Sequence, residues 1–141
     1  LTHDVADHKF VSDNRQEVLL AVLEEATPEN AVPKIVDAWE NISWSKGKTP
    51  STLEGRVVQD ADRLDALGAI GILRTAAYSG HKGRVLVDPL NFSSPGTTTG
   101  HFYDKLLKLK DSMNTKMGRA LAEERHAYMI SFLEQLDREL Q

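Results

Sequence analysis

Apolar residues recur three or four positions apart along most of this 141-residue chain, and this spacing constrains the fold more than any other feature. An α-helix turns once every 3.6 residues or so, and such a repeat therefore lines one helical face with apolar side chains. The first two such faces consist of Val18, Leu19, Val22, Leu23 and Ala26, and of Val32, Ile35, Val36, Trp39 and Ile42. Residues 13–16 have the form of a capping box before the first face, and Pro33 fits the first turn of the second helix. The pattern predicts two successive amphipathic helices.

The rest of the chain predicts further helices. A helical pattern resumes near Leu53, and between Ala66 and Leu73 it is apolar on every side, which predicts a helix that is buried all round. Another helix is marked by Phe102, Leu106, Leu109 and Met113. Asn114 and Thr115 supply a cap for a long final helix, which is lined by Met117, Leu121, Tyr128, Phe132 and Leu136. We therefore predict an all-α fold, a single helical bundle over residues 1–141.

Two stretches interrupt the helical pattern. Residues 43–51 contain Gly, Lys, Ser and Pro, a composition that is typical of a loop. Residues 80–100 are rich in Gly, Ser, Thr and Pro and hold one short extended piece at 84–87. Irregular loops longer than about 12–15 residues are usually functional or disordered in compact domains. The second stretch is therefore predicted to be a long irregular loop and a candidate lid.

The composition excludes several classes of protein. The chain has no cysteine, which rules out disulfide scaffolds, iron–sulfur clusters and thiol nucleophiles and fits a cytoplasmic location. No apolar run approaches the roughly 20 residues that a membrane helix needs, so no membrane span is expected. A formal net charge of −4 argues against a nucleic-acid partner, because such proteins present a positive face. A small phosphorylated ligand held by a few local cations remains consistent with these features.

Acidic residues gather at two places that carry chemistry. His3 and Asp4 lie near the start of the chain, and Asp60, Asp62 and Asp65 surround one internal cation, Arg63. Carboxylates in apolar surroundings must be paired, hydrogen-bonded or bound to a metal. Neighbouring His and Asp side chains on a helix point about 100° apart, so they supply two ligands to an ion that other helices complete. We expect a divalent ion, Mn, Fe, Zn or Mg, since imidazole and carboxylate ligands suit these metals.

Four segments together carry a family resemblance. They are the dyad His3-Asp4, the run 59–68 (QDADRLDALG), the run 42–45 (ISWS) and the run 101–110 (HFYDKLLKLK). In this combination and order the chain resembles the HD-domain superfamily of metal-dependent phosphohydrolases, in particular its small stand-alone bacterial members. The resemblance covers essentially the whole chain. It implies a metal bound by an upstream His, the His-Asp dyad and a distal Asp.

Three positions match that implied metal site, namely His3, Asp4 and Asp62, with Asp60 as the competing choice for the distal ligand. The upstream His of the family has no counterpart in a chain that begins at Leu1. The family's N-terminal helix is therefore expected to be missing from this chain.

The resemblance implies an enzyme that cleaves a phosphomonoester or phosphoanhydride of a small, nucleotide-like metabolite with a metal-activated water. The alternative is a non-catalytic helical module of the same fold that binds a phosphorylated ligand or a partner. A homodimer is one of the oligomeric states open to either.

Six further residues are candidates for catalysis or substrate binding. Asp65 and Asp7 are candidate proton acceptors, and the candidate substrate-binding residues are Lys9, Arg63, His101 and Lys105. Each has a structural alternative. Asp65 and Asp60 also fit a charge bias at a helix N-terminus, and Arg63 also fits a residue that neutralises adjacent carboxylates. Asp7 and Lys9 also fit a solvated surface pair.

Overall fold

The computed structural model describes residues 17, 21, 23 and 27–141, and every regular element in this part of the chain is a helix. Its α-helices are α1 (Val32–Asn41), α2 (Leu53–Asp65), α3 (Gly68–His81), α4 (Thr98–Asp104) and α5 (Lys116–Leu140). Short 3₁₀ helices occupy Glu29–Ala31, Trp44–Lys46 and Leu106–Ser112. The predicted all-α class is confirmed. The chain divides into two compact units, 1–59 and 60–141, with the boundary inside α2, and the single domain over 1–141 stays a prediction.

The first unit is built around Leu23, which is 2% exposed. Four side chains at the start and middle of α1 pack against it, namely Val32, Ile35, Val36 and Trp39. These are residues that the helical spacing selects, and Pro33 lies in the first turn of α1 as expected. The predicted capping box at 13–16 lies outside the described residues.

The second unit has its core along α5, the longest of the described helices. Helix α3 and the 3₁₀ helix Leu106–Ser112 both pack on α5, and Phe102 of α4 stacks on Phe132 with ring centroids 6.2 Å apart. Arg125 of α5 donates a hydrogen bond of 2.6 Å to the carbonyl oxygen of Leu64, near the end of α2. The buried apolar residues of this unit are Leu67, Phe102, Leu106, Leu109, Met113, Ala122, Met129 and Leu133.

Three of the helices begin with the same four-residue pattern, Thr-x-x-Gly. The hydroxyl oxygens of Thr52, Thr97 and Thr115 accept hydrogen bonds from the amides of the glycines three residues later, at 3.1, 2.9 and 2.9 Å. This is side-chain capping of a helix N-terminus. Glycine is required because neighbouring atoms lie very close to it: a Cβ at residue 118 would overlap the carboxylate of Asp60. The sequence pattern predicts the cap at Thr115 but not those at Thr52 and Thr97.

The apolar run between Ala66 and Leu73 differs from its prediction. Helix α2 ends at Asp65 and α3 begins at Gly68, which adopts a φ of +71° that only glycine reaches without strain. This break separates the run into a buried Leu67 and exposed side chains on α3, with Ile70 55% and Leu73 66% exposed. The prediction of one helix buried on all sides is therefore wrong.

The predicted helix from Phe102 to Met113 is also divided. Helix α4 ends at Asp104, Lys105 leaves helical geometry at φ −134° and ψ −60°, and a 3₁₀ helix follows. Leu106 and Leu109 are both buried and lie three residues apart. That spacing fits the three-residue turn of a 3₁₀ helix as well as it fits an α-helix, so the pattern does not separate the two.

The long irregular loop is confirmed, although it is shorter than predicted and spans residues 82–97. Its extended piece is not a strand. Instead, the carbonyl oxygens of Val85 and Leu86 accept hydrogen bonds from the amides of Thr98 and Thr99, at 2.9 and 3.1 Å. These amides open α4 and have no partner within the helix. The loop thus completes the N-terminus of α4, and its role as a lid stays a prediction.

Candidate functional site

Asp60 is the most tightly held carboxylate of the acidic run on α2. It is 3% exposed, and its hydrogen-bond donors in the described part of the chain are Asn114 and Thr115, just before α5. Its Oδ1 accepts hydrogen bonds from the amide and the side-chain Nδ2 of Asn114 at 2.8 and 2.9 Å. Its Oδ2 accepts from the amide and the hydroxyl of Thr115, both at 2.8 Å. The charge therefore lies against the positive end of the α5 dipole.

These four hydrogen bonds use up the accepting capacity of Asp60. A carboxylate offers about four lone-pair positions, and each one here faces a protein donor. A metal ion at this carboxylate would have to displace these hydrogen-bond partners. Asp60 is therefore held as a structural anchor, and its geometry does not fit a metal ligand.

Arg63 lies one turn further along α2 and is 5% exposed. Its Nη1 donates a hydrogen bond to the carbonyl oxygen of Ser112. Burial lowers the pKa of Arg63, whereas the nearby charges of Asp60 and Asp62 raise it. This burial does not fit the prediction that Arg63 binds substrate and favours the alternative, in which it neutralises the adjacent carboxylates.

Asp62 differs from both of its neighbours, because its side chain is exposed. Residues three apart share a helix face, so Asp60 and Arg63 point to one side of α2 and Asp62 points away from it. Of the two aspartates proposed for the distal ligand position, Asp62 is the one at the surface. The other two predicted ligands, His3 and Asp4, lie outside the described residues, and no group of three metal-binding side chains gathers within the described part.

The remaining candidates lie on separate elements. Asp65 is exposed at the end of α2 and forms an ion pair with Arg74 of α3. His101 is half-buried on α4, and burial lowers its pKa, as do the charges of Lys105 and Arg84, while Asp104 raises it. The neutral imidazole is therefore favoured. Lys105 is half-buried just after α4, and Asp7 and Lys9 lie outside the described residues.

A cavity of about 360 Å³ opens in the second unit, away from all of these side chains. Phe92 and Tyr103 meet edge to face there, with ring centroids 6.3 Å apart. Burial raises the pKa of Tyr103, and so does the charge of Asp137. The lining consists of Phe92, Tyr103, Ile130, Leu133, Glu134 and Asp137, so the cavity contains no predicted site residue.

Several known proteins are similar to this chain. No family model matches the sequence. The uncharacterized protein YpgQ of Bacillus subtilis strain 168 is 47% identical over 93 residues, which are 66% of this chain and 43% of YpgQ. The chain thus spans less than half of the length of that relative in sequence. A crystal structure of B. subtilis YpgQ in complex with ADP matches at a TM-score of 0.80 and 33% identity, over 98% of this chain and 69% of that one.

A second solved structure decides the family. It is an HD-superfamily hydrolase from Bacillus thuringiensis, with a TM-score of 0.78 and 45% identity over 99% of this chain and 69% of that one. The chain belongs to the HD superfamily. The resemblance inferred from the four segments is confirmed, and this chain is a member of a family of hydrolases. In its described part, no helix is both long and apolar enough to cross a membrane.

Sequence reasoning missed the partners that hold Asp60 and Arg63 on α2. Ser112, Asn114 and Thr115 lie 49 to 55 residues from the side chains that they bind on α2. The signal in the sequence is the pair Asn114-Thr115, which was interpreted as a cap for its own helix alone. A buried aspartate that bonds to such a cap from another helix leaves no local pattern.

Proposed function

We propose that this chain is a metal-dependent phosphohydrolase acting on a phosphomonoester or phosphoanhydride of a small, nucleotide-like metabolite. The observation that carries the proposal is its 45% identity to an HD-superfamily hydrolase over nearly its whole length. The ADP complex of YpgQ supports a nucleotide-like ligand. Because the chain covers only part of these relatives, the substrate is proposed for it and not transferred. Its cytoplasmic location also stays a prediction.

His3, Asp4 and Asp62 are the proposed ligands of the divalent ion, which we expect to be Mn, Fe, Zn or Mg. One imidazole and two carboxylates suit these ions. Asp62 fits this role because its side chain is exposed, whereas the four donors around Asp60 leave it no lone pair for an ion. A bound divalent ion polarises a phosphoryl oxygen and lowers the pKa of water.

The substrate phosphate is assigned to Lys9, His101 and Lys105. His101 lies in the middle of α4 and Lys105 directly follows that helix, and the charges of Lys105 and Arg84 both lower the pKa of His101. A neutral imidazole donates a hydrogen bond from one ring nitrogen, and two cations beside it attract phosphate oxygens. Asp65 and Asp7 are assigned as proton acceptors. Arg63 is left out of this set because it is buried.

The second candidate function is a non-catalytic module that binds a phosphorylated ligand. The ADP complex of YpgQ favours this second function, because it shows that YpgQ binds a nucleotide. In such a module the same lysines and His101 would hold the phosphate, and no ester bond would be broken.

Metal analysis and a nucleotide panel test the two functions together. Wild-type protein, Asp62→Asn and Asp111→Asn are analysed for bound metal, and phosphate release from nucleoside mono-, di- and triphosphates is then measured with Mn²⁺ and Mg²⁺. Asp111 is the matched control, because it is an exposed aspartate in the second unit that pairs with Lys110.

We expect stoichiometric metal and phosphate release from the wild type and from Asp111→Asn, and loss of both in Asp62→Asn. Unchanged metal content and turnover in Asp62→Asn would contradict the assignment. A folded wild type that binds ADP, holds no metal and releases no phosphate would instead support the binding module.

A further inference from the structure

Helix α2 is attached at two points, about one helical turn apart, to the segment that joins the 3₁₀ helix Leu106–Ser112 to α5. Asp60 accepts four hydrogen bonds from Asn114 and Thr115, and Arg63 donates to the carbonyl oxygen of Ser112. We call these five residues the clamp. All five belong to the second unit, and both α2 side chains are at least 95% buried.

Two attachments at positions i and i+3 do what a single attachment cannot. One contact holds a helix near its neighbour but lets it pivot about that contact. The second contact lies about 4.5 Å further along the axis and about 60° around it, so it removes most of that freedom. Both oxygens of Asp60 are bound, by Asn114 and Thr115, which fixes the orientation of the carboxylate as well. The carboxylate of Asp60 adds directional strength, because hydrogen bonds to a charged acceptor are about twice as strong as neutral ones. The rotation of α2 near residue 60 is thereby set.

Asp62 lies between the two attachment points in the sequence, so its direction follows from that rotation. Its side chain leaves α2 on the side away from the clamp and is exposed. Functional constellations tolerate displacements of only about 0.5 Å or 10–20°. A small turn of α2 about its axis would therefore move the Asp62 carboxylate out of a bonding position.

We infer that Asp60 and Arg63 are positioning residues for Asp62: the clamp fixes the rotation of α2 so that the Asp62 carboxylate is presented to the metal ion. The inference rests on the proposed function, in which Asp62 is a metal ligand. Neither residue contacts the ion itself, and both act through the helix that carries Asp62.

A role in positioning differs from a purely structural role in one measurable respect. If the clamp only stabilises the fold, its variants unfold more easily but bind metal normally while they are folded. If the clamp positions Asp62, the folded variants bind metal more weakly. The affinity for Mn²⁺, measured by titration calorimetry well below the unfolding temperature of each variant, separates the two.

Two pairs of variants make the comparison. Asp60→Asn places an amide NH₂ group opposite donors of Asn114 and Thr115. Two donors cannot bond to each other, so this variant opens the clamp. Asp111→Asn is its control. Thr115→Ala removes one of the four donors and keeps the other three, whereas Thr115→Ser keeps the hydroxyl. Circular dichroism at the titration temperature shows that each variant is folded. Where Asp60→Asn does not fold, the Thr115 pair decides the question.

We expect Asp60→Asn to weaken Mn²⁺ binding about 10- to 100-fold and Thr115→Ala about threefold or more, as for residues that orient metal ligands. Thr115→Ser and Asp111→Asn should keep the wild-type affinity. If folded Asp60→Asn binds Mn²⁺ with wild-type affinity, the inference is overturned. If Asp60→Asn does not fold, wild-type affinity in Thr115→Ala overturns it instead. In either case the proposed function still stands when Asp62→Asn loses the metal. An equal loss in Thr115→Ser and Thr115→Ala also overturns the inference. A wild type that takes up no Mn²⁺ overturns the inference and the proposed function together.

Discussion

Two aspartates, one in each unit, make the same kind of contact in different surroundings. Asp37 accepts hydrogen bonds from the amide and the hydroxyl of Ser51, at 2.8 and 2.9 Å, just before α2 begins. Asp60 accepts the same pair of bonds from Thr115 at the start of α5. Each also accepts from an asparagine side chain, Asp37 from Asn41 and Asp60 from Asn114, but Asp37 is half-buried whereas Asp60 is 3% exposed. Since water can replace a lost partner at Asp37 but not at Asp60, the same bonds should matter far more in the second unit.

The largest effect is expected when each aspartate is removed. Asp60→Ala leaves four part-buried donors without their acceptor and removes one of the two charges that compensate the buried Arg63, and should lower the free energy of unfolding by about 3–5 kcal/mol. Asp37→Ala should produce a much smaller shift of the midpoint. Urea denaturation of both variants checks the difference, and equal midpoints would show that burial does not govern the contact.

A smaller loss is expected when the space beside Asp60 is filled. A Cβ at Gly118 would overlap the Asp60 carboxylate, so Gly118→Ala should cost about 1–3 kcal/mol. Gly80 is the control, because a Cβ on that α3 residue meets no atom within 4 Å. Gly80→Ala should stabilise the protein by about 0.4–1 kcal/mol. Thermal unfolding of both variants provides the measurement. If Gly118→Ala is as stable as Gly80→Ala, Gly118 does not lie in tight contact with the Asp60 carboxylate.

The helix caps provide a third contrast between the units. The Thr115 hydroxyl caps α5 and also donates to Asp60, whereas the Thr52 hydroxyl caps α2. Thr115→Ala should therefore cost about 2 kcal/mol, and Thr52→Ala about 1 kcal/mol. Calorimetric unfolding ranks the two, and the reverse order would mean that the bond to Asp60 adds nothing.

The smallest effect is the pH dependence contributed by Asp37. The amide and hydroxyl of Ser51, and to a lesser extent Asn41, hold the pKa of Asp37 below its ordinary value of 3.8. A lowered pKa in the folded state contributes stability above pH 3.8 that is lost as the pH falls through the lowered value. Asp37→Asn should therefore lower stability at pH 6 and approach the wild type as the pH falls below 3.8. Urea midpoints at a series of pH values measure this, with the exposed Glu40→Gln on α1 as control. A difference that does not shrink would assign the effect to something other than the charge.

The helices could be predicted where period and cap agree. Val32 to Trp39 and the run from Met117 to Leu136 repeat at the helical period, and Pro33 and Thr115 mark where their helices begin. The break at Gly68 could not be predicted, because an unbroken apolar run hides a change of direction that depends on a left-handed φ. The 3₁₀ helix from Leu106 was missed because two buried residues three apart satisfy either kind of helix.

For the distal metal ligand, the sequence narrows the prediction to two aspartates, Asp60 and Asp62, and does not choose between them. Asp60 and Asp62 look alike in the sequence, since both are acidic residues beside Arg63 on the same helix. What separates them is the turn at Asn114 and Thr115, more than 50 residues away, which binds one and leaves the other exposed. No pattern along α2 contains that information. The dyad His3-Asp4 lies outside the described residues, so its place in the site stays a prediction.

The division between Asp60 and Asp62 has an evolutionary consequence. The carboxylate that holds α2 and the carboxylate exposed to solvent are different side chains, so a substitution at Asp62 leaves the four hydrogen bonds of Asp60 in place. A lineage that replaced Asp62 would keep those bonds. This layout therefore allows descendants that keep the fold and bind a ligand without cleaving it.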